Sequence, residues 1–441
     1  MGERTGPAPP RTLNGERLAA RGASVWGRRR AALLGWQAAG LALGAALLAM
    51  AFFMLPATNP VRIFIDTLMW GWLATLGSAL LLDLLVSRQA YLHFTVAPVS
   101  VACAFGALLV WFIATHAVYS RWAIVCAAIY ALAVHAHAWS RWRRRTALRL
   151  GVVDEAMMER LAPASRFPSD ASAIERCEWV FVPDARLDTA FDGLVDGVVL
   201  PDGASAALRQ GAALRAKLAG TQVYSESFMR AMLTGRLDIE RADEVFLDDV
   251  PGSVAYAGVK RLLDLTGTLL LALPGLPLVL LAMLAVRLET PGAPLLVQPR
   301  VGLRGSAFGM YKLRTMHVRR AADDEPRITR VGRWLRRTRV DELPQLWNVL
   351  RGEMSLIGPR PEWTQTATEL EQRIPQFAFR YLVRPGITGW AQVHQGHVSG
   401  ESDVRTKLSY DLYYAKNMSL PLDLAITMLT IRTVLTGRGA R

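Results

Sequence analysis

Long apolar runs occupy the first third of the chain, separated by short polar links. The runs cover residues 31–55, 63–86, 92–115 and 119–139. Each approaches or exceeds the roughly 20 residues that a helix needs to cross a bilayer. A large soluble core could also contain such helices, but four runs in close succession are atypical of one. The pattern therefore predicts a bundle of four transmembrane helices over residues 31–145.

Arginines indicate which side of the membrane each link faces. Arg88 follows the second run, and further arginines stand at 28–30 before the first run and at 141, 143, 144 and 145 after the fourth. The other two links carry little positive charge beyond Arg62 and Arg121. By the positive-inside rule, both ends of the bundle face the cytoplasm. The polar leader over residues 1–30, rich in Arg, Pro and Gly, is expected to be disordered.

The pattern changes over residues 146–250, where short apolar runs alternate with helical stretches. Runs at 148–153, 179–182 and 197–200 read as strands, and 204–218 reads as a helix. This alternation is typical of a small α/β module with a partly parallel sheet, similar to a reduced Rossmann fold. The sequence GVVDE at 151–155 lacks the glycine-rich turn that seats a dinucleotide. We therefore favour a structural or regulatory module over a cofactor site.

A second long apolar stretch runs from about 260 to 287 and contains Pro274 and Pro277. Proline inside a helix removes a hydrogen bond and clashes with the preceding turn. A fifth full crossing would place everything after residue 290 outside the cell. We therefore predict a re-entrant helix, broken at the prolines, over an ordinary kinked crossing helix. Lys260, Arg261 and Asp264 lie at its start, where Asp264 is expected to satisfy backbone groups or to pair with one of these cations.

The last third of the chain is mixed and polar. Residues 294–301 and 307–316, separated by a glycine-containing turn, predict a β-hairpin. Short helices are predicted over 331–338, 344–351, 362–373 and 403–416. The stretch at 421–435 is too interrupted for a confident span and suits an interfacial helix. Together these elements predict a mixed α+β domain.

The charge of the chain narrows the class of partner. The sequence is 52% hydrophobic and carries a formal net charge of +14. A basic chain suits either nucleic acid or anionic lipids and phosphates. Because the basic residues cluster at the membrane edges and around Asp341 and Glu342, membrane lipid and phosphate esters are favoured and no nucleic-acid partner is expected. The three cysteines form no CxxC or zinc-binding spacing, so neither a disulfide framework nor a zinc site is predicted.

Motifs recur through the last 180 or so residues. They are KRLLD at 260–264, YKLRTM at 311–316, RITRVG at 327–332, DELPQLWN at 341–348, GPRP at 358–361, RPGITGWAQ at 384–392, YDLYY at 410–414 and LDL at 422–424. Residues 256–441 resemble the bacterial sugar transferase family, the polyprenyl-phosphate hexose-1-phosphate transferases of the monotopic phosphoglycosyl transferase superfamily. Four preceding spans and an α/β module resemble its long form. The chain departs from the family at Leu313, where phenylalanine is usual, and at Arg339 and Val340, where serine and leucine are commoner.

The resemblance implies an activity. Members transfer a hexose-1-phosphate from a UDP-sugar to undecaprenyl phosphate, release UMP and initiate exopolysaccharide, capsule or O-antigen synthesis. It also implies the bacterial inner membrane, a cytoplasmic catalytic domain over 256–441 and a re-entrant helix, and it is compatible with a homodimer. Glucose is favoured slightly over galactose and N-acetylated hexoses. A catalytically idle scaffold and a polytopic sugar-phosphate transferase are the competing hypotheses.

The resemblance also assigns roles to the acids. Asp341 is expected to be the nucleophile, and Glu342 together with Asp341 is expected to hold Mg²⁺ or Mn²⁺. The candidates for binding substrate phosphates are Arg336, Arg337, Arg360, Lys312 and Arg314. Two other interpretations remain open. Asp341 could be a helix cap, and the arginines of 330–337 could lie on anionic lipid headgroups, a role compatible with phosphate binding.

Overall fold

The structure is a computed structural model. It describes residues 25–54, 58–86, 93–115, 117–145, 148–166, 177–182, 195, 197–205, 210–212, 214–216, 221–247, 254–317, 327–395 and 401–436. Most of the predicted disordered leader lies outside these residues. The chain divides into two compact units, one of residues 1–83 and 100–233 and the other of residues 84–99 and 234–441. The domain limits drawn from the sequence stay a prediction.

All four predicted N-terminal helices are present. They are α1 (Val25–Met54), α2 (Asn59–Val86), α3 (His93–Ala114) and α4 (Arg121–Arg145). By length and composition, Leu33–Met54, Asn59–Asp83 and Arg121–Ala138 are candidate membrane spans, and Ser100–Ala114 of α3 is a shorter apolar helix. The four apolar helices indicate a membrane-associated protein.

A buried histidine joins three of these helices. His135 of α4 lies 3.3 Å from the Nε2 atom of Gln37 on α1 and 2.9 Å from the Oγ atom of Ser78 on α2. Side chains that hydrogen-bond across helices hold a bundle together where lipid offers no polar partner. These contacts give Gln37, Ser78 and His135 a structural role within the apolar runs.

The α/β module contains a four-stranded parallel sheet. Its strands are β1 (Leu148–Val152), β2 (Cys177–Phe181), β3 (Gly197–Leu200) and β4 (Gln222–Ser225), in the spatial order β2-β1-β3-β4. Helix α5 (Glu155–Arg166) follows β1, and α6 (Glu226–Thr234) follows β4. The first three strands confirm the sequence prediction, whereas β4 was not predicted. The predicted helix at 204–218 is described only in part, at residues 210–212 and 214–216.

After the α/β module, the second unit continues with the 3₁₀ turn Ile239–Arg241, α7 (Ala242–Leu247) and α8 (Val254–Glu289). Helix α8 has 36 residues and includes Pro274 and Pro277, which corresponds to about 54 Å if it is straight. The expected break is not seen, because the helix continues through both prolines. Proline is tolerated inside long apolar helices where neighbouring groups satisfy the backbone groups that it frees. Tyr256–Glu289 is a further candidate span. The re-entrant path stays a prediction.

The hairpin and the short helices were largely predicted. Strands β5 (Leu295–Val301) and β6 (Ala307–Leu313) pair antiparallel. The helices are α9 (Arg330–Thr338), α10 (Gln345–Arg351), α11 (Thr364–Arg373), α12 (Trp390–His394), α13 (Glu401–Asn417) and α14 (Leu420–Thr436). Strands β7 (Ser355–Ile357) and β8 (Gly386–Thr388) pair in parallel, and 3₁₀ turns cover Val340–Glu342 and Pro375–Leu382.

A small apolar core brings the hairpin, α9 and the acidic turn against α8. Ala282 and Val286 of α8 pack in one cluster with Leu313, Leu335 and Val340. All five are buried, so each contributes roughly 1 to 3 kcal/mol of burial free energy according to its size. This core thereby fixes the position of Val340, which directly precedes the two acids, relative to helix α8.

Polar contacts hold the first turns and the last residue of helix α8 against the rest of the second unit. Near its start, Lys260 pairs with Asp423 at 2.8 Å, and Asp264 accepts from the Ser355 hydroxyl at 2.9 Å and from the backbone N–H of Leu356. At its end, Glu289 accepts from the backbone N–H of Arg330 at 2.7 Å. Arg261, from the same first turns, donates to the carbonyls at 349 and 350.

The outer face of α8 is exposed and apolar. The exposed leucines along it are Leu262, Leu263, Leu269, Leu270, Leu271, Leu273, Leu276, Leu278, Leu280, Leu281, Leu284 and Leu288. Such a continuous apolar surface on one long helix marks a membrane interaction site. The inner face of the helix binds the domain that carries the acids.

Candidate functional site

The two acids lie in a tight turn between α9 and α10. Arg339 ends α9 in the left-handed backbone region, with φ of 60°, and its N–H bonds to the carbonyl of Arg336. This conformation costs a non-glycine residue roughly 1 kcal/mol or more. The 3₁₀ turn that follows directs Asp341 and Glu342 into the domain, where they are 2% and 7% exposed.

Close backbone contacts hold the segments around this turn. A Cβ atom at Gly332 would overlap the carbonyl of Thr315, so only glycine lets α9 lie against the end of β6. A Cβ atom at Gly358 would overlap the carbonyl of Arg384. These two glycines therefore fix the positions of α9 and of the 358–361 segment, which carries Arg360.

Three cations surround the two carboxylates. The Nζ atom of Lys312, on β6, lies 3.0 Å from Asp341 Oδ2 and 3.7 Å from Glu342 Oε1. Arg360 donates to Glu342 Oε1 at 2.9 Å, and Arg339 lies 3.9 Å from the same atom. The cluster carries more positive than negative charge, which suits an anionic ligand.

The two acids have different electrostatic environments. Burial raises the pKa of Asp341, and the attraction of Lys312 only partly offsets this effect. Burial also acts to raise the pKa of Glu342, but Arg360 and Lys312 together outweigh it and lower that pKa. Glu342 is therefore held as a carboxylate, whereas Asp341 has the more basic oxygen atoms of the pair.

One oxygen of Asp341 has no partner. Its Oδ1 atom is buried and makes no hydrogen bond among the residues that the structure describes, whereas Oδ2 faces Lys312. A buried polar atom without a partner costs stability and calls for an explanation, such as a catalytic role or a bound group. Asp341 therefore has one oxygen atom that no hydrogen bond to the described residues occupies and that a substrate or a cation could use.

The donor set fits a hard divalent cation that also binds substrate. Mg²⁺ commonly binds through one or two carboxylates plus substrate phosphate oxygens. Asp341 and Glu342 supply two carboxylates side by side. Asp341 Oδ1 makes no hydrogen bond to the described residues, so at least one carboxylate oxygen remains available to coordinate a cation. Among the described residues, no group of three or more His, Cys, Asp or Glu side chains is arranged to hold a metal without a substrate. The two carboxylates therefore fit a metal that is shared with a substrate phosphate.

The structure brings some of the predicted phosphate ligands to the acids and leaves others apart. Lys312 and Arg360 contact the acids, as described above. Arg314 donates instead to the carbonyl and hydroxyl of Thr290, and Arg336 donates to the hydroxyl of Thr315 at 2.9 Å. The side chain of Arg337 is exposed on α9. The phosphate-binding roles of all five residues stay predictions.

Sequence reasoning missed two buried arginines that hold the segment bearing Arg360. Arg380 donates to the carbonyl of Arg360 at 2.7 Å, and Arg300 donates to the carbonyl of the next residue, Pro361, at 3.1 Å. The Arg300 guanidinium also lies over the ring of Trp363, at 4.4 Å from its centroid. Two guanidinium groups from different elements thus fix successive carbonyls, and with them the position of Arg360 opposite Glu342.

Arg380 is the centre of a buried ion network. It donates to Asp411 Oδ2 at 2.7 Å and lies 3.4 Å from Glu362 Oε1, which Lys407 also contacts. Burial acts to raise the pKa of Glu362, but Arg380 and Lys407 outweigh it and lower the pKa to about 2. The sequence could have indicated this buried arginine, because Arg380 is the one charged residue among Phe377, Phe379 and Tyr381. A lone charge in an apolar aromatic run is rarely buried without a partner.

The fold and the site define a membrane-associated protein with a buried pair of acids surrounded by cations. The model of the bacterial sugar transferase family matches residues 255–437. A UDP-glucose:undecaprenyl-phosphate glucose-1-phosphate transferase of Caulobacter vibrioides is 46% identical over 190 residues, which are 41% of this chain and 71% of that protein. The chain belongs to the bacterial sugar transferase family.

Two further relatives are longer than the shared region. A UDP-N-acetylgalactosamine-undecaprenyl-phosphate N-acetylgalactosaminephosphotransferase of Aeromonas hydrophila is 42% identical over 234 residues, which are 52% of this chain and 55% of that protein. An undecaprenyl-phosphate glucose phosphotransferase of Komagataeibacter xylinus is 41% identical over 194 residues, 41% of this chain and 36% of that protein. The chain thus matches about half or less of the length of these two relatives, and their names specify different sugars.

Proposed function

We propose that this protein transfers a hexose-1-phosphate from a UDP-sugar to undecaprenyl phosphate, releases UMP and thereby initiates exopolysaccharide, capsule or O-antigen synthesis. The names of the relatives support the class of reaction. The observation that carries the proposal for this chain is the buried Asp341, with one free oxygen, beside Lys312, Glu342 and Arg360. Both substrates are anions, so the site must neutralise charge as well as hold the reactants in line.

In the first step, Asp341 Oδ1 attacks the sugar-bearing phosphorus of the donor. A bond forms between Oδ1 and phosphorus, and the bond from that phosphorus to the UMP oxygen breaks, with its electron pair leaving on UMP. A covalent phospho-sugar ester on Asp341 results, as carboxylate nucleophiles can provide. Lys312, at 3.0 Å from Oδ2, positions the carboxylate and helps to keep it ionised against the effect of burial.

In the second step, an oxygen of undecaprenyl phosphate attacks the same phosphorus. The bond from phosphorus to Oδ1 breaks, and the Asp341 carboxylate is regenerated. We expect Arg360 and Arg339, which both lie beside Glu342, to bind phosphate oxygens in this step. When bound, Mg²⁺ would supply charge neutralisation on the phosphate oxygens, held by Glu342 together with Asp341.

We place the catalytic domain at the cytoplasmic face of the bacterial inner membrane. Lys260 and Glu289, about 44 Å apart along a straight helix, both bind the same domain. A helix that crossed the bilayer once would leave these two ends on opposite sides. The contacts therefore support a re-entrant α8 whose exposed leucine face enters the lipid. Such a helix would hold Asp341 near the headgroup layer, where the acceptor phosphate lies.

A donor screen tests the reaction. Purified protein with Mg²⁺, undecaprenyl phosphate and one of several UDP-sugars should release UMP and form a lipid-linked product with at least one donor. Glucose remains the slightly favoured sugar. Absence of UMP release with every donor, from protein that is folded in detergent, would refute the transferase and favour a scaffold.

The re-entrant path makes a prediction about side-specific labelling. In a chain without its native cysteines, Ser306→Cys, in the exposed hairpin turn, should react with an impermeant thiol reagent only after the inner membrane is opened. Val118→Cys is the matched control, because its exposed link between α3 and α4 is expected to face outside and to react in intact spheroplasts. Labelling of Ser306→Cys in intact spheroplasts would show that α8 crosses the membrane.

The prolines are expected to set this path. Replacing Pro274 and Pro277 together by alanine restores two backbone donors and removes the clash, so a straight crossing helix becomes more favourable. Part of the Ser306→Cys population should then react from outside. If labelling stays entirely cytoplasmic in the double variant, the prolines do not determine the topology of α8.

A further inference from the structure

Three buried polar side chains follow one another through the acidic turn and α10. Asp341, Gln345 and Asn348 are four and three residues apart in the sequence. All three are at most 2% exposed. The flanking members both contact strand β6: Asp341 through Lys312, and Asn348 through the backbone N–H of Tyr311 at 3.1 Å. Gln345 lies between them in the sequence and is buried in the same part of the domain.

Asn348 has an evident structural role, and Gln345 does not. The Asn348 amide accepts from Tyr311 and donates to the carbonyl of Gly309 at 2.8 Å and to Glu353 at 2.7 Å. The Nε2 atom of Gln345 is buried and has no hydrogen-bond partner among the described residues. An unsatisfied buried donor destabilises the fold, so a position that keeps one needs another reason for it.

The two unpartnered atoms complement each other chemically. Asp341 Oδ1 is an acceptor and a nucleophile, and Gln345 Nε2 is a donor. They belong to buried side chains four residues apart in the acidic turn and the start of α10. A phosphoryl group that bonds to Oδ1 through its phosphorus carries non-bridging oxygens, whose developing charge needs a donor close to Oδ1. The protein thus supplies both an attacking atom and a donor for the charge that develops.

We propose that Gln345 is a catalytic residue, whose side-chain amide donates a hydrogen bond to a non-bridging oxygen of the phosphoryl group during its transfer to Asp341 Oδ1. This role rests on the proposed function. The amide does not change its protonation state in the step. The bond from phosphorus to Oδ1 forms while the bond to UMP breaks. In the protein without substrate, Gln345 Nε2 is buried and has no hydrogen-bond partner among the described residues. The donor is therefore already desolvated, and little reorganisation is needed when the phosphoryl oxygen arrives.

The test compares Gln345→Met with wild type in full-length protein in detergent. Methionine matches the length of glutamine and removes the donor. We expect kcat to fall about 100-fold, the scale for one oxyanion donor, with KM for the UDP-sugar changed less than about threefold, since the bond strengthens mainly in the transition state. The midpoint of thermal unfolding should stay equal or rise, because a buried unsatisfied group has been removed.

Two further variants sharpen the comparison. Gln345→Glu keeps the shape but sets a negative charge against the phosphoryl group, so its loss of kcat should exceed that of Gln345→Met. Gln372→Met, at an exposed position of α11, is the matched control and should leave kcat unchanged. A Gln345→Met enzyme with kcat within twofold of wild type, or a loss accompanied by a clear fall in the unfolding midpoint, overturns the proposal. A wild-type enzyme that releases no UMP with any donor refutes the proposed function, and this role with it.

Discussion

Replacing Asp341 by asparagine is expected to abolish turnover and the covalent intermediate while leaving the fold intact. Asparagine has the same shape, but its amide oxygen is a poor nucleophile. The loss should be on the order of 10⁴- to 10⁶-fold, the scale measured when a catalytic nucleophile is removed. Wild-type protein quenched after incubation with labelled UDP-sugar alone should carry label on Asp341, and the variant should carry none.

The matched control for this change is Glu369→Gln. It is also an isosteric loss of one carboxylate in the same domain, but on the exposed side of α11. It should leave UMP release and trapping unchanged. Asp341→Asn that retains a near-normal rate would contradict the nucleophile role. So would wild-type turnover under conditions in which no label is ever trapped on the protein.

The expected effect is large because Asp341 combines three features. It is buried, which raises its pKa and with it the basicity of its oxygens, and Lys312 fixes one oxygen while the other is free. Glu342, the next residue, lacks this combination, since its pKa is lowered by Arg360 and Lys312 against the effect of burial. Adjacent acids can therefore have separate roles in one reaction.

Local signals in the sequence were sufficient for most elements of the second unit. The turn at 302–305 separates two strands, and the structure places β5 and β6 on either side of it. The proline at 344 predicted the start of a helix over 344–351, and α10 starts at Gln345. The four-residue strand β4 was missed because Gln222–Ser225 has no continuous apolar run, and only its pairing with β3 makes it a strand.

Contacts between distant segments could not be read from the sequence. Lys312 reaches Asp341 because β6 packs against the acidic turn, and nothing in the local pattern distinguishes Lys312 from Arg314, which binds Thr290 instead. Pro274 and Pro277 illustrate the opposite case. The local rule for proline predicts a break, yet α8 continues through both residues. Whether a proline interrupts a helix depends on the groups packed around it, and the local sequence does not contain that information.

Replacing Arg380 by methionine is expected to destabilise the domain by about 3 to 5 kcal/mol, the cost of removing one partner from a buried ion pair. Arg380 is 3% exposed and Asp411 is 1% exposed, so the carboxylate would remain buried without its 2.7 Å partner. Lys407 would still contact Glu362, so the Glu362 carboxylate would keep one cationic partner and would add less to the loss of stability. The measurement is the unfolding transition of the purified protein in detergent.

A double-variant cycle separates the ion pair from lost packing. If the cost comes from the stranded Asp411 charge, adding Asp411→Leu to Arg380→Met should recover part of the stability, because an apolar replacement of both partners is often neutral. Arg373→Met, an exposed arginine at the end of α11, serves as the control and should change stability by less than about 0.5 kcal/mol.

Activity should respond separately from stability in this series. Arg380 also holds the carbonyl of Arg360, whose guanidinium faces Glu342 at 2.9 Å. The double variant that regains stability should therefore still transfer phosphoryl groups more slowly than wild type, since Arg360 has lost one of the two arginines that fix it. A double variant with wild-type kcat would show that Arg380 stabilises the domain without positioning Arg360, and Arg300 alone would then suffice to hold that segment.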